Sequence, residues 1–130
     1  MAQTALGLLL QHLREKRGLK LRELGQLSEV DHAYIYRLEV GDKEAPSDEV
    51  LTKLIRGLKP GKRETAMLRF LAEHTDTLPE FVTLAIEDET ITEEIFAAAA
   101  ATAYRGSGRP DARKAIERVR RILEDENGPR

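Results

Sequence analysis

Residues 18–41, GLKLRELGQLSEVDHAYIYRLEVG, constrain this chain more than any other stretch. Leu21, Leu24, Leu27, Val30, Ile35 and Leu38 form one inner face if two short helices meet at a tight angle, and His32, Ala33, Tyr36 and Arg37 then fall outside it. Asp31 is an N-cap for the second helix and Gly41 its C-terminal stop. The pattern reads as a helix-turn-helix, a motif whose second helix can bring its outward residues to base edges in a major groove.

Apolar residues at helical spacing continue on both sides. Leu6, Leu9, Leu10 and Leu13 predict a first helix over about 5–17, ended by Gly18, and the two helices of the motif cover about 21–28 and 32–40. Pro46-Ser47 opens a fourth helix with Val50, Leu51, Leu54, Ile55 and Leu58. After the break at Lys59-Pro60-Gly61-Lys62, Met67, Leu68, Phe70 and Leu71 mark a fifth.

A chain of 130 residues can bury one good core, or a small domain with a helical appendage. It has no cysteine, hence no disulfide, zinc finger or thiol chemistry. His12, His32 and His74 lack metal-ligand spacing, so no metal or cofactor is expected. No apolar run nears the roughly 20 residues of a membrane span, and a soluble, cytoplasmic protein is expected. An HExxH motif, a glycine-rich phosphate loop and a GxSxG turn are all missing, which argues against an enzyme. Net charge is only -2, but it is unevenly distributed. Residues 1–74 are nearly balanced and 75–104 contain no Lys or Arg. Arg105, Arg109, Arg113, Lys114, Arg118, Arg120 and Arg121 then crowd together. Affinity for DNA would therefore come from a few placed contacts, not from a general positive surface.

The motif resembles the XRE (Cro/C1-type) family. The family pattern of Leu, Val, a Ser-like cap, Tyr-Ile, Arg, Glu and Gly is matched without a gap by Leu24, Val30, Asp31, Tyr34-Ile35, Arg37, Glu39 and Gly41. The resemblance implies an all-α fold: a five-helix lambda-repressor-like DNA-binding domain over 1–74, with 75–130 as a short helical dimerisation and regulatory region. It also implies base reading by His32, Ala33, Tyr36 and Arg37, with Arg37 suited to guanine O6 and N7 and the Ala33 methyl to a thymine methyl. Arg17, Lys20, Arg22 and Lys43, beside the turn, are the candidate phosphate anchors. Arg14 and Glu39 match a structural ion pair of the family. Two positions depart from the pattern: Glu29 stands where the family has a turn glycine, which requires a left-handed non-glycine residue, and Leu21 replaces a glutamine that touches the DNA backbone.

In the tail, Leu78-Pro79 opens an amphipathic segment with Phe81, Val82, Leu84, Ala85 and Ile86. Thr90-Ile91-Thr92-Glu93 resembles a capping box before an alanine-rich helix. Asp111 caps a last helix whose stripe of Ala112, Ala115, Ile116, Val119, Ile122 and Leu123 either packs on its own chain or joins two copies. Some 50 residues are few for an independent core, and two recognition helices must meet half-sites about 34 Å apart. Dimerisation is therefore expected through Ile116, Val119, Ile122 and Leu123. The order LPEFVTLAIEDETI, alanine-rich helix, YRGSGRP and closing RRILEDE is similar to the C-terminal region of DdrO-type repressors, stress-response regulators cut by an IrrE/ImmA-type metalloprotease. That resemblance implies cleavage between Tyr104 and Arg105.

These readings lead to a dimeric, sequence-specific repressor of an inverted-repeat operator. The alternative is an antitoxin-like module whose acidic Glu87-Asp88-Glu89 and Glu93-Glu94 neutralise a basic toxin while the head autoregulates.

Overall fold

The computed structural model describes residues 2–103 and 111–127, and the Tyr104–Arg105 bond lies outside them. Eight α-helices and no strand occur among the described residues: α1 (Ala5–Lys16), α2 (Leu21–Ser28), α3 (His32–Val40), α4 (Asp48–Leu58), α5 (Lys62–Glu73), α6 (Pro79–Glu87), α7 (Glu93–Thr102) and α8 (Ala112–Asn127). None of these helices is long and apolar enough to cross a membrane.

Local chemistry sets the helix ends. Thr4, Asp31, Ser47 and Thr92 each accept a hydrogen bond from a backbone N–H of the first turn of α1, α3, α4 and α7. The α7 cap thus sits two residues later than the sequence suggests, because the Thr90 hydroxyl donates instead to the Asp88 carboxylate. Glu29 does take up the left-handed conformation that the turn requires, with φ 61°, and its N–H bonds to the Gly25 carbonyl.

In the head, α1 crosses α3 so closely that a Cβ on Gly7 would meet the Leu38 and Glu39 carbonyl oxygens. Beneath that crossing, Arg14 Nε and Nη2 donate to the two Glu39 carboxylate oxygens at 2.7 and 2.9 Å, and Nη1 donates to the Leu19 carbonyl at 2.8 Å. The Glu39 side chain is only 3% exposed, and its hydrogen bond and charge raise the Arg14 pKa. α2 lies against α4 at a small-residue contact, where a Cβ on Gly57 would come 3.0 Å from that of Ser28. This contact turns Leu24 and Ser28 inward and leaves Leu27, expected on the inner face, 52% exposed.

The tail does not stand apart. α6 packs on α1, α7 on α5, and α8 on α7 and α6, so one apolar core runs from Ala5 to Val119. Phe96 of α7 meets Phe70 of α5 and Phe81 of α6 edge-on, with centroids 5.9 and 6.4 Å apart. Arg63 at the start of α5 donates to the carbonyls of Ala85, Asp88 and Ile91, which caps the C-terminal end of α6 from the head. The Asp88 carboxylate accepts from the Thr90 hydroxyl and N–H and from Arg120 of α8, contacts that hold its pKa below the ordinary carboxylate value. The centre of the acidic stretch expected to meet a basic toxin is therefore engaged within the chain.

The expected dimer stripe is divided by this packing. Ile116 and Val119 are buried against the chain's own α6 and α7, and Leu123 is partly buried on the same core. Ile122, at 51% exposure, faces outward.

Removing one partner of a buried ion pair leaves the other charged and unpaired. Glu39→Ala should therefore cost about 3 kcal/mol of unfolding free energy. A denaturant titration reads this directly, and a loss under about 1 kcal/mol, the scale of an exposed pair, would contradict the assignment.

Candidate nucleic-acid interface

The outer face of α3 follows from what its inner face buries. Ile35 and Leu38 are 0% and 2% exposed and Glu39 is tied to Arg14, so the roll of the helix about its axis is fixed. His32, Ala33, Tyr36 and Arg37 consequently share the solvent side, with Tyr36 53% exposed. Tyr34 is half-buried beside the core, where desolvation raises its phenol pKa. Arg37 has no side-chain hydrogen bond or ion pair among the described residues, which leaves all five guanidinium donors for a ligand. His32 Nδ1 lies 3.8 Å from the Asp31 carboxylate.

All four expected phosphate anchors, Arg17, Lys20, Arg22 and Lys43, are exposed. Lys20 sits at the N-cap of α2, where its backbone N–H donates to the Glu23 carboxylate at 2.8 Å. Lys43 is on the loop after α3. Arg17 is engaged within the fold, where its Nη1 donates to the Gly57 and Leu58 carbonyls at 2.6 and 3.2 Å and covers the open C-terminal end of α4.

Sequence reading missed Gln26. With Arg22, Gly25, Val30, Asp31 and His32 it lines an open cleft of about 280 Å³ where α2 meets the start of α3. The available signal was spacing: Gln26 is four residues after Arg22, hence on the same face of α2. The cleft depends on close backbone approach, since a Cβ on Gly25 would stand 3.2 Å from that of His32.

A short α2, a turn through a left-handed Glu29 and an α3 with an exposed outer face make a helix-turn-helix, and the family comparison agrees. The model of the helix-turn-helix domain matches residues 5–68. Residues 5–68 thus form a helix-turn-helix domain. The domain is a DNA-binding, non-catalytic one. The chain is also similar to the clp gene regulator ClgR from C. glutamicum, at 34% identity over 57% of this chain and 91% of that one, with a TM-score of 0.45. No curated protein matches it.

Arg17 differs from its basic neighbours in the contact its Nη1 makes to the end of α4. Arg17→Ala should lower stability by about 1 kcal/mol through loss of a helix-end hydrogen bond, and leave the salt dependence of DNA binding unchanged. Paired denaturation and salt titrations would decide this. A flatter salt dependence at unchanged stability would return Arg17 to the phosphate anchors.

Proposed function

We propose that this helix-turn-helix protein is a dimeric transcriptional repressor that reads an inverted-repeat operator through α3. The observation carrying the proposal is the outward set His32, Ala33, Tyr36 and Arg37 on a helix whose roll is locked by Ile35, Leu38 and the Arg14–Glu39 pair. A locked helix presents the same donors to every duplex, and that is what base discrimination requires. Arg37 is suited to a bidentate contact with guanine, His32 to a base edge, and Ala33 to a thymine methyl. Lys20, Arg22 and Lys43 flank the helix and set its register through phosphates, contacts that carry no sequence information.

A single domain of this size contacts only a few base pairs. Two copies related by a twofold would read an inverted repeat with half-sites about 34 Å apart, and occupancy of such a site blocks polymerase.

Two substitutions separate reading from positioning. Arg37→Ala should lose about 1 to 3 kcal/mol at the preferred site and little on random duplex, whereas Lys43→Ala should weaken both equally and reduce the salt slope by about 1. Fluorescence anisotropy on both duplexes at several salt concentrations measures this. Equal losses on both duplexes for Arg37→Ala would overturn base reading by α3.

A further inference from the structure

The inner stripe of α8 is already covered: Ala112, Ala115, Ile116 and Val119 are buried against α6 and α7. Arg120 is bound to the Asp88 carboxylate at 3.0 Å and to the Thr90 hydroxyl at 2.8 Å, which fixes α8 about its own axis. The surface left to solvent is therefore well defined. Lys114, Arg118, Arg121 and Asp125 follow one another at intervals of four, three and four residues, so they form a single outward row, and all four are exposed. Ile122 lies at its margin, 51% exposed. Charge changes sign along the row: Lys114, Arg118 and Arg121 are basic and Asp125 is acidic, with the exposed Glu124 and Glu126 to either side of Asp125 and the exposed Glu117 bordering Arg121.

A helix face that is positive at one end and negative at the other complements itself when a second copy lies antiparallel across it. A twofold axis imposes this arrangement, because each contact then occurs twice with the roles exchanged. Parallel pairing would set like charges together.

We infer that the chain dimerises by antiparallel pairing of the outer faces of two α8 helices. Arg118 and Arg121 of each copy face Asp125 of the other, and the two Ile122 side chains meet near the axis. The inference rests on the dimeric reading above and gives it a specific surface, distinct from the apolar stripe that the fold consumes. It also makes assembly sensitive to salt: charges at an exposed seam feel one another over about 10 Å at 0.1 M ionic strength and about 3 Å at 1 M.

Sedimentation velocity of the full chain tests this with two charge-reversed variants, Arg118→Glu/Arg121→Glu and Asp125→Arg. Circular dichroism verifies that each keeps its helices. The wild-type chain should be dimeric at about 0.1 M salt, with a Kd at least tenfold weaker at about 1 M. Each variant alone should be monomeric at concentrations where the wild type is dimeric. Mixed one to one, they should form a heterodimer, since every reversed charge then faces its opposite. A wild-type dimer that neither variant disturbs would overturn the α8 seam while leaving dimerisation through another surface. A wild-type chain that stays monomeric throughout would overturn the seam and the dimeric reading together.

Discussion

The Arg14–Glu39 pair joins the end of α1 to the end of α3 with two hydrogen bonds, in a place where the carboxylate is almost out of contact with water. Neither charge could remain there alone. The pair requires α1 and α3 to approach closely, and Gly7 provides the room by leaving the Leu38 and Glu39 carbonyls unobstructed. With Glu39 anchored and Ile35 and Leu38 buried, α3 can present only one face to solvent. The outward direction of His32, Tyr36 and Arg37 is thus a consequence of what lies beneath them, and the proposed DNA-reading surface inherits its rigidity from a buried charge pair.

What was legible in the sequence was whatever depends on neighbours close along the chain. The α3 face could be read because Ile35, Leu38 and the cap at Asp31 fall within one short helix, and the left-handed Glu29 because a turn residue was missing from its usual place. Leu27 was misread because its environment depends on how α2 meets α4 through Ser28 and Gly57, a contact across some 30 positions that periodicity does not encode. Periodicity likewise does not encode the contact of Arg17, whose carbonyl partners on α4 are 40 and 41 residues away. Nothing local in the sequence marks the contacts of Arg63 and Arg120, since each reaches the turn between α6 and α7 from 25 or more residues away.

The tail shows how an amphipathic stripe can be recognised without its partner being identified. Ile116 and Val119 are equally suited to their own chain or to a second one. The fold decides for the chain itself, because α6 and α7 already dock on α1 and α5 and offer Leu84, Ile95, Ala99 and Ala100 as a continuing apolar surface. Arg63 from the head and Arg120 from α8 meet at Asp88, one through its carbonyl and the other through its carboxylate. Head and closing helix are therefore linked through a single turn.

The most direct test of base reading by α3 is to select bound duplexes from a random library with the full chain at about 150 mM salt, where nonspecific phosphate binding is weak enough for specificity to show. Recovery of an inverted repeat with half-site centres about one DNA turn apart is the predicted result. Recovery of no sequence above background would contradict it, leaving a well-formed helix-turn-helix whose outer face does not read DNA.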